Sequence, residues 1–200
     1  MEIVIAHYNN CEFQKLIEKF SDKSKIVYDK SNNYNKVQED VTVIKRINEG
    51  REGETYLYHI ITNYNNLSEY TLFIQDDTEE HITDYDQFKV DTDKMINNNI
   101  KFHLYNLTWR KGMHPIERTI QNGLCNLHTL GSLDAIKIAC EKNNILLPDI
   151  YTTETCAFFL CHKDIILKKP IEFYINLRDW LLEDEKNGFI LEHLWKIIFI

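Results

Sequence analysis

Residues 50–81, GREGETYLYHIITNYNNLSEYTLFIQDDTEEH, decide the fold. Tyr56, Leu57, Ile60, Ile61 and Tyr64 recur every three to four positions, the apolar stripe of an amphipathic helix opened by the turn Gly50-Arg51-Glu52. Tyr70-Thr71-Leu72-Phe73-Ile74 is β-branched and aromatic without polar alternation, the pattern of a strand buried on both faces of a sheet. Such a strand has no structural need of Gln75-Asp76-Asp77 at its carboxyl end, the edge where open α/β sheets bind ligands. Adjacent carboxylates repel one another unless a cation or a donor-rich ligand lies between them. The competing reading is a solvated loop, since Thr78-Glu79-Glu80 continue the acidity.

Upstream, Glu2 to His7 reads as a first strand, and Asn9 and Asn10 are placed to cap a helix with Phe13, Leu16, Ile17 and Phe20 on one face. Lys25 to Tyr28 is a second strand ending at Asp29, which completes a parallel βαβ unit with a right-handed crossover. Tyr8 and Asp29 then share a sheet edge with Asp76 and Asp77, an aromatic to stack on a base and a carboxylate to hold a ribose hydroxyl. Neither GxGxxG nor GxxxxGK[ST] is present, which counts against a dinucleotide or P-loop protein. Residues 31–48 read as an irregular loop around a short strand at Val41-Thr42-Val43-Ile44.

Downstream, residues 84–99 carry a weak helical pattern and residues 100–107 a strand. Residues 109–129 form a polar stretch long enough to be a lid or binding loop. Gly131-Ser132 opens a helix, residues 155–161 read as a buried strand, and residues 164–167 and 170–182 as helices. Gly188 opens the last helix, FILEHLWKIIFI.

The 200 residues, 44% of them hydrophobic, suffice for one α/β domain spanning 1–200. A net charge of −8 with scattered Lys and Arg argues against a nucleic-acid partner. No apolar run approaches the ~20 residues of a membrane span, and Met1 to Ile5 lacks the features of a signal peptide. Five cysteines without a CxxC pair fit reduced thiols and a cytoplasmic location. Eight histidines without HExxH spacing do not suggest a zinc site.

Three constellations point to chemistry. Asp76, Asp77 and His81 combine hard oxygens with an imidazole, a set that suits Mn²⁺ or Mg²⁺ shared with substrate phosphates. Strand alternation puts Asp77 with Phe73 and Asp76 with Ile74, so the two carboxylates need not chelate together. Arg51 and Glu52 begin a helix whose free N–H groups receive a phosphate, unless Glu52 serves the helix dipole and Arg51 merely pairs with an acid. Glu192, among Leu191, Leu194 and Trp195, is either a general base with a raised pKa or a structurally paired acid. Glu154, just before the buried strand, is the second candidate for that role.

GREGETYLYHIITNYNNL followed by YTLFIQDD and a nearby His resembles the signature of an uncharacterised domain family of fungi and large DNA viruses. Val27-Tyr28-Asp29-Lys30, ETCAFFLCHKDIILKKPIEFYINLRDWL and GFILEHLWKIIF continue the likeness in family order. The layout is similar to glycosyltransferases of the GT-A type, in which a nucleotide-binding half precedes a strand ending in Asp-x-Asp. That resemblance implies a GT-A-like mixed sheet flanked by helices and transfer of a sugar from a nucleotide-sugar donor. The acceptor is left open as a glycan, a protein or a small molecule. Matched to the motif, Asp77 is the metal ligand with His81 nearby, and Gln75 stands where the first Asp is expected. Tyr8, Asp29, Arg51, Glu52 and Asp76 fall to the donor, and Glu192 and Glu154 to catalysis. His193 replaces the Arg that commonly follows the closing Glu. The alternatives are a GT-A-shaped binding or structural protein and a metal-dependent phosphohydrolase built on Asp76, Asp77 and His81.

Overall fold

The computed structural model describes residues 1–9, 13–31, 40–105, 118–121, 133–148, 150–153 and 157–200, with backbone alone for 118–121, 133 and 150–153. Strands β1 (Glu2–His7), β2 (Ser24–Asp29), β3 (Val41–Lys45) and β4 (Tyr70–Gln75) run parallel. β5 (Phe102–Leu104) and β8 (Phe159–His162) complete a six-stranded mixed sheet in the order β3-β2-β1-β4-β8-β5, with β8 antiparallel to both neighbours. β6 (Arg118–Gln121) and β7 (Ile150–Thr153) pair in a separate two-stranded ribbon. β6 therefore lies inside the segment expected to be a loop.

Side-chain alternation divides the sheet into two apolar faces. Ile3, Ile5, Leu72, Ile74 and Leu160 meet Leu16 and Ile17 of α1 (Gln14–Lys19) and Phe88 of α4 (Tyr85–Asn97). Val4, Ala6, Phe73 and Phe159 meet α2 (Arg51–Thr62), α7 (Ile171–Glu183) and α8 (Lys186–Phe199). Alongside these, α5 (Leu133–Lys142) adds Ile136 and Ala139 to the second face. The single-turn helices α3 (Thr78–His81) and α6 (Lys163–Ile166) follow β4 and β8. α1 starts later than the Asn9-Asn10 cap predicts: Phe13 occupies its N-cap without a side-chain bond, the N–H of Asn9 goes to Asp76, and Asn10 is outside the described residues.

α2 lies at the centre of its layer. Tyr56 packs against Phe73, Phe159 and Trp195 and donates to the Ala157 carbonyl at 2.9 Å. A Cβ on Gly53 would stand 2.8 Å from Leu191, so the missing side chain permits α8 to approach. Burial extends to the polar residues of the first turns, with Glu54 fully enclosed. Its carboxylate accepts from Arg46 at 2.6 Å and from Arg178 at 2.8 and 3.0 Å, and lies 3.0 Å from Lys30 Nζ. Burial pushes this carboxyl up, but Lys30, Arg178 and Arg46 together outweigh it and hold it below its ordinary value.

Removing one partner from such a group leaves uncompensated buried charge, which costs about 3–5 kcal/mol. Glu54→Gln is expected to lower the urea midpoint of unfolding by a corresponding amount. A carboxyl held below its ordinary pKa contributes stability above that ordinary value and loses it as pH falls through the folded one. The deficit of Glu54→Gln against wild type should therefore shrink below about pH 4.5, the ordinary value. An equal deficit at pH 3 and pH 7 would contradict the ionic account.

Candidate functional site

The chain runs outward from β1 to β2 and β3 and then crosses back to β4 on the other side of β1, so the strand order reverses at β1, the place where open α/β sheets bind ligands. A cleft of about 700 Å³ occupies that position. His7 and Tyr8 line it from the end of β1, Gln75, Asp76 and Asp77 from the end of β4, and Gly50, Arg51 and Glu52 from the start of α2. Leu182 and Phe189, from α7 and α8, form an apolar flank.

Asp76 fastens β1 to β4 at the back of this cleft. Its Oδ2 accepts from the N–H groups of Tyr8 at 2.8 Å and Asn9 at 3.0 Å, and lies 2.9 Å from His7 Nδ1. A carboxylate with three donors on one oxygen fixes the backbone of the loop, and Tyr8, 57% exposed, projects at the rim. Asp29 does not line the cleft. It is fully buried and accepts from the Ser31 hydroxyl at 2.6 Å and the Ser31 N–H at 2.9 Å, while Ser31 Oγ lies 3.2 Å from His7 Nε2. Asp29 thus supports His7 from behind, set back from the cleft surface where a ribose contact is expected.

Asp77, just beyond β4 and at the N-cap of α3, also lines the cleft but makes different contacts from Asp76. One of its oxygens is 3.3 Å from His81 Nε2, and the other is buried without a hydrogen-bond partner among the described residues. His81 does not line the cleft; its ring packs on Phe158 and its reach is to Asp77, the position of a residue that orients a ligand.

Arg51 and Glu52 extend the site toward α8. Lys30, almost fully buried, donates to the carbonyls of Glu49 at 2.7 Å and Arg51 at 2.6 Å. The turn so held puts both Gly50 and Arg51 in the left-handed region, at φ 59° and 55°. For a non-glycine residue this conformation is strained, and such strain gathers at functional sites. The Arg51 guanidinium lies 4.1 Å over the Phe189 ring, 3.4 Å from Glu192 and 3.5 Å from Glu52. Glu192 does not itself line the cleft; Glu52 does, with Glu192 hydrogen-bonded to it. Burial and the charge of Glu52 push the Glu192 carboxyl up to about 8 against the opposing pull of Arg51. Burial likewise raises Glu52, with Asp77 adding to the effect. Ionisation of one carboxyl of the pair therefore disfavours ionisation of its neighbour. Glu154 is outside the described residues.

Among the described residues no group of three or more His, Cys, Asp or Glu side chains is arranged to hold a metal ion. The unpartnered Asp77 oxygen supplies one hard ligand, a number that suits Mg²⁺ or Mn²⁺ when substrate phosphates complete the shell. None of the helices among the described residues is long and apolar enough to cross a membrane. Residue patterns singled out the carboxylates and Arg51, but missed Lys30, Arg46 and Arg178, whose convergence on Glu54 depends on tertiary structure.

The chain belongs to the DUF3431 family of proteins of unknown function, whose family model matches residues 3–200. No curated protein and no solved structure matches it at a significant level.

The raised carboxyl has a signature in stability. A group whose folded pKa lies above its unfolded value stabilises fully below the unfolded one and loses that contribution as pH rises through the folded one. For Glu192 the window runs from its ordinary 4.5 to about 8. The melting temperature of Glu192→Gln relative to wild type should climb across this interval and level off above it. A constant difference from pH 5 to pH 9 would show that Glu192 is not raised.

Proposed function

We propose that this DUF3431 chain is a glycosyltransferase that takes a sugar from a nucleotide-sugar donor bound at the carboxyl ends of β1 and β4. The observation that carries the reading is the Glu52–Glu192 pair under Arg51, beside the orphaned oxygen of Asp77, in a cleft at the switch point of a doubly wound sheet. Tyr8 at the rim offers a ring to the base. Arg51 and the N–H groups that begin α2 offer donors to phosphate oxygens.

In the reaction an acceptor hydroxyl forms a bond to the anomeric carbon, while the carbon–oxygen bond to the diphosphate breaks and its electron pair leaves with the phosphate. Glu52, the member of the pair that faces the cleft, takes the hydroxyl proton and is neutralised by it, while Glu192 positions the carboxylate that receives it. Asp77 would hold a divalent cation, oriented by His81 through the second carboxylate oxygen. Bound there, Mn²⁺ or Mg²⁺ supplies neutralisation of the leaving diphosphate. Asp76 holds Tyr8 and Asn9 in place rather than touching the reacting atoms, which explains how the motif serves with Gln75 in its first position.

A nucleoside diphosphate at about 100 times its Kd should stabilise the protein by about 2.7 kcal/mol, more with Mn²⁺ than without. Asp77→Asn should remove the Mn²⁺-dependent part and preserve the fold. If no common nucleoside diphosphate shifts the melting temperature at millimolar concentration, with or without Mn²⁺, the donor site is wrongly placed.

Glu52→Gln keeps volume and removes basicity. It should leave nucleoside diphosphate binding close to wild type and slow transfer, or slow hydrolysis of the donor by water, about 10²–10⁴-fold. Unchanged turnover would take Glu52 out of the chemistry and leave a site that binds donors without transferring them.

A further inference from the structure

Gly188, in the first turn of α8, faces Arg51 rather than the apolar core. A Cβ built on it would stand 2.7 Å from Arg51 Cδ and 3.3 Å from Cγ. The aliphatic stem of Arg51 thus runs through the space that a side chain at 188 would fill. The next residue, Phe189, carries the ring on which the guanidinium rests at 4.1 Å. One helical turn beyond lies Glu192, which accepts from Arg51 Nη2 at 3.4 Å. Three successive surfaces of α8 therefore hold one side chain: a gap for the stem, a ring for the cation and a carboxylate for its N–H. At the other end, Arg51 begins α2 in the left-handed region at φ 55°, a conformation that an arginine holds only when its surroundings offset the strain.

We propose that Gly188 is a positioning residue for Arg51: its missing side chain forms the slot through which Arg51 reaches the Glu52–Glu192 pair and presents its guanidinium to the cleft. The consequence for donor binding rests on the function proposed above, whereas the slot itself rests on the contacts alone. The alternative origin of a glycine here, close helix packing, is met elsewhere in the same pair of helices. Gly53 of α2 faces Leu191 and Leu181, two core side chains. Gly188 faces the middle of a long, flexible side chain that is 41% exposed. Overcrowding at Gly188 is therefore relieved by moving Arg51 rather than by separating the helices.

This makes Gly188→Ala an unusual probe, because it dislodges Arg51 without removing its charge. Alanine is the better helix former, so the variant should melt at or above the wild-type temperature. The position of Arg51 is then read from the Glu192 carboxyl, followed by carbon NMR against pH in metal-free protein. Arg51 opposes the upward shift of this carboxyl. Gly188→Ala should therefore move its titration further upward, in the same direction as Arg51→Gln. The double variant should titrate like Arg51→Gln alone, since a slot has no purpose without its occupant. A titration of Gly188→Ala that coincides with wild type, or a double variant whose shift is the sum of the two, would overturn the proposal. Should Gly188→Ala impair folding, Phe189→Leu withdraws the ring instead; the same upward movement supports the slot and its absence refutes it.

Donor binding is the second readout. With UDP and Mn²⁺ as the probe, or whichever nucleoside diphosphate stabilises the wild type, Gly188→Ala should weaken binding about tenfold through loss of one charge-assisted contact. The double variant should bind no worse than Arg51→Gln. If wild-type protein binds no nucleoside diphosphate, the glycosyltransferase reading falls while the titration still decides the role of Gly188.

Discussion

The cleft depends on a single buried carboxylate. Glu54 joins Lys30 from the end of β2, Arg46 from just beyond β3 and Arg178 from α7, three segments distant in sequence. Burying these charges is expensive, and the arrangement is tolerable only because each is answered at close range. Lys30 shows the balance. Burial lowers its ammonium, Glu54 and Glu52 raise it, and its remaining donors are met by the carbonyls of Glu49 and Arg51. Those two carbonyls flank Gly50. The ionic knot thereby fixes the turn that starts α2, and with it the places of Arg51 and Glu52. Arg46 has a further anchor, its guanidinium lying 3.5 Å over the Tyr58 ring.

A division of labour among the acidic residues follows. Glu54 is held ionised by cations, and Asp76 binds backbone N–H groups that fasten two strands together. Glu52 and Glu192 lack enough positive charge for both to ionise, because Arg51 is their principal cation and Asp77 adds repulsion. Acids only a few residues apart in sequence thus titrate in opposite directions: Glu54 is lowered and Glu52 raised, though they sit in the same two turns of α2. Separation of this kind distinguishes groups that brace a fold from groups able to exchange protons in it.

Much of the architecture is legible in the sequence because periodicity is a local property. The stripe Tyr56, Leu57, Ile60, Ile61 and Tyr64 and the strand Tyr70 to Ile74 are read directly. The strand and the first three of the stripe are buried, while Ile61 is half-buried and Tyr64, also half-buried, falls beyond the helix end at Thr62. Asp76 and Asp77 make separate contacts, the one with the β1 loop and the other with His81. The failures have a common cause. β6 and β7 are only four residues each, too short for a pattern to stand out from loop sequence. The expected strand at 155–161 is found as β8 at Phe159–His162, with residues 154–156 outside the described set, because an apolar run does not mark its own register. Asp29 looks like a ligand-binding carboxylate because it ends a strand on the correct edge, but Ser31 and His7 enclose it. Glu54 carries the largest omission. An acid in the first turn of a helix reads as a partner of the dipole, and nothing nearby announces that three cations will converge on it.

The charge pattern of the cleft gives the strongest physical reason for its proposed ligand. Glu49, Glu52, Asp76, Asp77 and Glu185 line it against Lys30 and Arg51, within a chain of net charge −8. A diphosphate entering alone would meet more repulsion than attraction. A free cation would be drawn to the acids but repelled by Lys30, the buried ammonium that lines the cleft, and by Arg51. On the proposed function, a diphosphate and a divalent cation arriving together would answer both signs of charge, with the phosphate oxygens toward Arg51 and the α2 start and the cation toward Asp77. In a crevice with apolar walls such complementarity is amplified, since water screens it less than at an open surface. On the same proposal, Asp77 would need no second carboxylate beside it. Metal affinity would come from the ligand that carries the cation in, and the protein has only to supply one oriented oxygen and a cationic place for the rest.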